Sequence, residues 1–190
     1  MRMRLLAAPA LFIALVAACG QGDDVPATDT ATMAAPAPAA PALDDATIVA
    51  IFDETNTADI ETGQLAVEKG STKEVRDFGA MMVRDHGAVR QQGRDLAAKL
   101  GVTPTPPADN ASAQAHADAM ASLGALSGVE FDKAYLDHEI AFHQAVIDAI
   151  NNTLMPAIQN AEVRQLVTDV APAFEAHRVA AVQLRSKIGG

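Results

Sequence analysis

The sequence contains little of the material from which sheets, disulfide frameworks and nucleic-acid sites are built. Its 190 residues include no Trp, one Tyr and one Cys, and aromatic residues make up only 4% of the chain. Few segments alternate apolar and polar residues, so little of the chain suits a β-sheet. A single cysteine cannot form a disulfide within the chain. The formal net charge of −10 argues against nucleic acid as a partner.

The first 18 residues predict a bacterial lipoprotein signal peptide. Arg2 and Arg4 precede an apolar run that ends at Ala18 and is too short to span a bilayer comfortably. The small residues before Cys19 resemble the lipobox that the lipoprotein signal peptidase cleaves once the cysteine thiol is acylated. We therefore expect a lipid on Cys19 to anchor the protein to a membrane. The alternative is an ordinary signal peptide that happens to precede a cysteine.

The anchor predicts a location as well as an attachment. We expect the protein on the periplasmic side of the cell envelope, and Gly20 after the cysteine favours the outer membrane over the inner one. Removal of the two arginines with the signal peptide takes the formal charge from −10 to −12. Such a charge favours cations and basic partners over anionic surfaces.

The rest of the chain divides into a tether and one domain. Residues 19–42 contain the cysteine and then mostly Ala, Pro, Thr, Asp and Gly, which cannot bury enough apolar surface to offset the entropy of ordering. They predict a flexible tether. Residues 43–190 have the size of one domain and show no internal repeat.

This domain is predicted to be helical throughout. The pattern indicates four long helices at about residues 43–69, 71–100, 127–153 and 160–187, and a short one at about 110–123 after a Pro-rich stretch. Ser71-x-x-Glu74 and Ser127-x-x-Glu130 are candidate capping boxes at two of the helix starts. Four long helices with one long connection predict an all-α, ferritin-like four-helix bundle with a short extra helix between helices 2 and 3.

Three of the five histidines are predicted to face the core. On helical wheels His86, His143 and His177 lie within the apolar stripes of three different long helices, whereas His138 lies about 140° from His143. Neutral imidazoles in one layer could share a zinc, copper or iron ion. The alternative is a structural layer in which each ring hydrogen-bonds to its own polar partner, because an unpaired buried polar group costs about 1 to 3 kcal/mol.

A carboxylate ligand would come most naturally from the first helix. Glutamates recur there every seven residues at the edge of the apolar stripe, and among them spacing favours Glu61. Asp85 and Glu139 are further candidates, either as ligands or as groups that orient a ligating imidazole. Met82 would suit copper, although an inward methionine more often fills the core.

Several segments together resemble the bacterial domain-of-unknown-function 4142 family over residues 45–185. They are Ile60 to Ala66, Val75 to Phe78, Met82 to His86, Phe131 to Tyr135, His143, and Pro172 to His177. The resemblance implies an exported protein of the ferritin-like superfamily. It also implies that His86, His143 and His177 are the family's recurrent histidines, whereas His116 and His138 lie outside that pattern. It implies no settled activity.

The histidine spacing argues against an oxygen-activating enzyme. Di-iron bundles use Glu-x-x-His pairs, but Val83, Ile140 and Phe174 stand three residues before the inward histidines. We find no glycine-rich phosphate loop and no Gly-x-Ser-x-Gly elbow in the sequence, and no reaction is predicted. Two hypotheses remain: a lipid-anchored bundle that holds one divalent metal ion, and a structural or stress-related envelope lipoprotein with a polar histidine layer.

Overall fold

A computed structural model describes residues 43–109 and 111–188. The predicted signal peptide (1–18), the tether (19–42) and Cys19 lie outside the described residues. The regular structure described is helical: α1 (Asp45–Lys69), α2 (Lys73–Leu100), α3 (Ala111–Gly124), α4 (Gly128–Ala149), a π-helical turn (Ile150–Leu154), α5 (Met155–Ala157) and α6 (Ala161–Lys187). Within these ranges, each helix is either too short or too polar to cross a lipid bilayer.

The four long helices form a bundle. α1 packs along α2 and α4 packs along α6, while α2 also contacts α6 and α1 also contacts α4. The short helix α3, in the long connection between α2 and α4, lies against α1 and α4. The predicted all-α four-helix bundle with one short extra helix is therefore confirmed.

Helix starts follow the sequence signals closely but not everywhere. Asp44 caps α1 by accepting a hydrogen bond from the Thr47 N–H at 2.8 Å, and Asn160 caps α6. The N-cap of α2 is Thr72 and not the predicted Ser71, because Asp132 of α4 binds the Ser71 hydroxyl. Ser127 is the N-cap of α4, but its side chain makes no capping hydrogen bond.

The end of the third long helix also differs from the prediction. Instead of stopping near residue 153, α4 continues through the π-helical turn to the end of α5. Pro156 does not terminate the helix, because it lies within α5 directly after the π-helical turn. The extension buries Ile150 and Leu154 in the core.

The bundle core consists of two hydrophobic clusters with a polar layer between them. One cluster contains Ile48, Val49, Ala97, Ile150, Leu154, Ile158, Val163, Val167, Val170 and Phe174. The other contains Ala66, Val75, Phe78, Met82, Leu123, Phe131, Tyr135, Leu136 and Ala181. Of the eight buried polar residues in the described ranges, Asp132 lies within the second cluster. The other seven stand between members of the two clusters along the long helices; they are Asn56, Asp59, Thr62, His86, Glu139, His143 and His177. The sequence thus places a polar band at mid-height of an otherwise apolar core.

Asp132 fastens the α1–α2 turn to α4. Its buried carboxylate accepts hydrogen bonds from the Ser71 N–H at 2.8 Å, the Ser71 hydroxyl at 2.6 Å and the Thr72 N–H at 3.1 Å. A carboxylate at the start of α2 satisfies backbone donors that the helix itself cannot pair. Beside it, the rings of Phe131 and Tyr135 stack with centroids 6.0 Å apart. The Phe-Asp-x-x-Tyr element of the sequence is therefore a structural device that joins two helix pairs.

We expect Asp132→Asn to destabilise the fold by about 1 to 3 kcal/mol, because a buried charge-assisted acceptor is replaced by an amide with one acceptor oxygen. Urea denaturation followed by circular dichroism measures this loss. The matched control is Asp137→Asn, which breaks an exposed pair with Arg185 and should cost less than about 1 kcal/mol. Equal losses in both variants would contradict the role given to Asp132.

Candidate metal centre

The three predicted histidines meet in the polar layer. His86 on α2, His143 on α4 and His177 on α6 have ring centroids 5.1 to 5.5 Å apart in all three pairings. All three side chains are buried, and His177 lies nearest the surface with 6% exposure. Phe174 closes one side of the group, with its ring centroid 5.2 Å from that of His86. One ring nitrogen from each histidine lies within 4.8 Å of those of the other two.

The hydrogen bonds of His86 fix which of its nitrogens carries the proton. Asn56 donates from Nδ2 to the Phe52 carbonyl at 2.7 Å, so its Oδ1 is the atom that faces His86 Nδ1 at 2.9 Å. An amide oxygen only accepts, and His86 Nδ1 must therefore be the donor. His86 Nε2 is left with a lone pair directed into the trio.

His177 has the opposite tautomer for a similar reason. Its Nε2 lies 3.1 Å from Asp85 Oδ2, and an ionised carboxylate accepts but cannot donate. The proton therefore lies on Nε2, and Nδ1 carries a lone pair. This Nδ1 stands 3.2 Å from His86 Nε2, so two lone pairs face each other. A cation between the two atoms, either a proton or a metal ion, would remove the repulsion between the lone pairs.

His143 supplies the third lone pair. Its Nδ1 donates to the Glu139 carbonyl at 2.9 Å, which leaves Nε2 as an acceptor. Among the described residues this buried Nε2 has no hydrogen-bond partner. A metal-bound histidine characteristically donates its other ring N–H to a carbonyl or carboxylate, and each histidine of the trio has such an acceptor. The residues present therefore fit a metal ion.

Burial keeps the three rings neutral. It lowers the pKa of His86 to about 2 and that of His143 to about 4, and in each case a neighbouring imidazole adds to the effect. Burial also lowers the pKa of His177, although Asp85 opposes this shift. A bridging proton between His86 and His177 is thus disfavoured, whereas neutral imidazole is the form that binds metal.

Two buried carboxyl groups lie directly behind the trio. Asp59 Oδ2 is 3.3 Å from His86 Nδ1 and Asp59 Oδ1 is 4.0 Å from His143 Nδ1. Glu139 Oε2 is 3.5 Å from His143 Nδ1, and its Oε1 accepts a hydrogen bond from Thr62 at 2.9 Å. Burial raises the pKa of Glu139 to about 8. Burial and the proximity of Glu139 also raise the pKa of Asp59 well above its ordinary value.

The structure corrects the predicted contribution of the first helix. Glu61 is exposed, hydrogen-bonds to His116 at 2.7 Å and does not join the buried ligand groups. The buried carboxylate of α1 is Asp59. Asp59 precedes Glu61 by two residues and therefore lies about 160° from it around the helix. The apolar stripe predicted for α1 is only part of its inward face, which also carries Asn56, Asp59 and Gly63 in place of large apolar side chains.

The remaining candidates have separate positions. Glu139 is buried beside the trio, as described, and Asp85 binds His177 from the edge of the site. Met82 belongs to the hydrophobic cluster that contains Phe78 and Tyr135, so it fills the core. His138 stacks on Phe142 with ring centroids 5.7 Å apart and takes no part in the trio.

Fold and site together define a class of protein: a four-helix bundle with a buried three-histidine centre. The sequence matches the family described as "Domain of unknown function (DUF4142)" over residues 29–184, and the chain belongs to this family. The search of curated proteins returned no match. Among solved structures, the fold is similar to "CopM in the Cu(II)-bound form", with a TM-score of 0.58 and 16% identity over 76% of this chain and 98% of that one. At this identity the likeness shows the shared fold.

The raised pKa of Glu139 predicts an unusual pH dependence for the metal-free protein. Between pH 6.5 and 8 the unfolded state has already lost the Glu139 proton, whereas the native state keeps it up to about pH 8. The Glu139 proton therefore makes stability fall as the pH rises, by up to tenfold in the folding equilibrium per pH unit for each such carboxyl. The buried histidines, whose pKa values are lowered in the native state, take up protons in the unfolded state near pH 6.5 and oppose this slope there, so the Glu139 contribution is measured above pH 7.

We expect Glu139→Gln to flatten the slope, since the amide has no proton to lose. Urea titrations at pH 7, 7.5 and 8 in the presence of EDTA measure it, with exposed Glu61→Gln as the control that keeps the wild-type slope. Equal slopes in the wild type and in Glu139→Gln would contradict the buried, protonated state of Glu139.

Proposed function

We propose that this protein is a lipid-anchored protein of the cell envelope that binds a divalent transition-metal ion through His86, His143 and His177. The observation that carries the proposal is the convergence of three imidazole lone pairs in a buried layer, two of them 3.2 Å apart. A hydrogen-bonded polar layer would pair each acceptor with a donor, but His143 Nε2 has none among the described residues. A metal ion satisfies all three nitrogens at once.

The distances suit such an ion. Ligand nitrogens about 2.0 to 2.1 Å from a tetrahedral zinc ion lie about 3.3 to 3.4 Å apart, and the His86–His177 nitrogens are 3.2 Å apart. The ring nitrogen of His143, on α4, lies within 4.8 Å of the ligand nitrogens of His86 and His177. A small inward rotation of the His143 ring would therefore bring all three nitrogens to bonding distance of one ion. With three imidazoles, copper(II) is the divalent ion bound most tightly and zinc the next candidate. The Cu(II)-bound state of the structural neighbour is consistent with copper.

Asp59 and Glu139 balance the charge of the ion. A dication in an apolar core is costly unless anions lie nearby, and these two carboxyls contact the ring nitrogens of His86 and His143. The incoming charge favours their ionised forms, so the centre gains up to two negative charges as the metal enters. Asp85, whose side chain is 33% exposed, and His177 form the edge of the site that lies nearest to solvent. Storage or buffering of the metal at the envelope is the role that such a site supports.

We expect His143→Ala and His177→Ala to weaken copper(II) binding at this centre by more than about a hundredfold, since even loss of an outer-shell partner costs ten- to a hundredfold. Competition with a chromophoric chelator measures the affinity of the purified protein, and electron paramagnetic resonance identifies nitrogen ligands. His138→Ala, outside the trio, is the matched control and should bind as the wild type does. If all four proteins bound alike, the trio would be a structural polar layer.

The lipid anchor has its own test. We expect the wild-type protein to incorporate radiolabelled palmitate and to sediment with the outer-membrane fraction, because acylation of Cys19 is the predicted attachment. Cys19→Ala should lose the label and leave the membrane fraction. Wild-type protein without label would contradict the anchor and leave the metal site unaffected.

A further inference from the structure

The carboxyl groups behind the histidine trio have more acceptor atoms than the protein uses. Asp59 is 1% exposed and Glu139 is fully buried. Both oxygens of Asp59, together with Glu139 Oε2, lack a hydrogen-bond partner within the described ranges. The Tyr135 hydroxyl beside them lies within hydrogen-bonding reach of Glu139. Unpaired buried polar atoms cost about 1 to 3 kcal/mol each, so several in one place indicate a missing occupant.

These atoms surround a common point together with His143. One oxygen of Asp59, one of Glu139 and one nitrogen of His143 lie within 4.8 Å of one another. His143 Nδ1 is 3.5 Å from Glu139 Oε2 and 4.0 Å from Asp59 Oδ1. Ligands bonded at about 2.0 to 2.2 Å to one tetrahedral ion are separated by about 3.3 to 3.6 Å. A small contraction would therefore place all three atoms around an ion.

We propose that Asp59, Glu139 and His143 hold a second divalent cation, with the His143 ring between the two ions. This inference rests on the proposed function, because the first ion occupies Nε2 of the same ring. The second ion binds Nδ1, whose proton, now donated to the Glu139 carbonyl, leaves for solvent as the bond forms, together with the carboxyl protons of Asp59 and Glu139. The ring thereby becomes an imidazolate bridge.

The two halves of such a centre differ in chemistry. The trio offers nitrogen, which suits copper and zinc, whereas the second position offers two carboxylate oxygens and one nitrogen, which also suit zinc, manganese and iron. Two dications carry four positive charges, and the bridging imidazolate with two carboxylates supplies three negative ones. A hydroxide or an ionised neighbour in the centre would complete the balance. The unpaired oxygens of Asp59 would therefore bind the second ion. The negative charge of Asp59, beside His86 Nδ1, would also offset the charge of the first ion.

Copper(II) alone is the probe that distinguishes one ion from two. We expect the full-length protein in detergent to bind two copper ions per chain by mass spectrometry under native conditions. Two copper(II) ions bridged by imidazolate couple magnetically, so the integrated resonance signal should fall well below that of two independent spins. Asp59→Asn should lose the second copper ion and, because Asp59 also offsets the charge of the first, bind the remaining ion less tightly. At saturating copper it should show the full signal of one spin, with histidine nitrogen hyperfine splitting retained.

Two further variants separate the loss of an ion ligand from misfolding of the protein. Asn is isosteric with the protonated Asp59 side chain, and Glu139→Gln tests the same position independently from α4. Exposed Asp95→Asn is the control and should keep two ions. If the wild type bound one copper ion, lost on His177→Ala and unchanged by Asp59→Asn, the second site would be refuted and the proposed function would stand. A wild type that bound no copper or zinc would refute both.

Discussion

Two imidazole nitrogens, His86 Nε2 and His177 Nδ1, lie 3.2 Å apart with a lone pair on each. Their arrangement follows from partners on the outer side of each ring: Asn56, fixed by its own bond to a carbonyl, and the carboxylate of Asp85. Burial disfavours the proton that would otherwise join them. A metal ion between the two nitrogens would bind both lone pairs, and the surrounding bundle holds the two rings in place.

The bundle meets this constraint by separating its core into two apolar clusters. Each long helix contributes residues to both clusters and polar residues to the layer between them. The clusters fix the height of the histidines, and Asp132 ties the start of α2 to α4 from outside the layer. The Phe-Asp-x-x-Tyr element thus stabilises the packing of the helices, whereas the three histidines form the candidate metal site.

The fold and the trio could be predicted from sequence because both depend on periodicity. Long amphipathic segments separated by Gly and Pro indicate a bundle, and a histidine at the centre of an apolar stripe must face inward. Asp59 could not be found in this way, because the inward face of α1 carries polar and small residues, so the apolar pattern covers only part of that face. The available signal was the spacing of Asn56, Asp59, Gly63 and Ala66, which marks the buried face once close helix packing is allowed for. Indeed, a Cβ added to Gly63 would lie 2.9 Å from the Gly79 carbonyl oxygen.

The most direct test of the central claim is nitrogen-15 nuclear magnetic resonance of the histidine rings, which reports the protonation of each nitrogen. In metal-free protein at pH 7 we expect the proton on Nδ1 of His86 and His143 and on Nε2 of His177. Addition of zinc should then shift His86 Nε2, His143 Nε2 and His177 Nδ1. Protons found on any of these three nitrogens in the metal-free protein, with no shift on addition of zinc, would contradict the account.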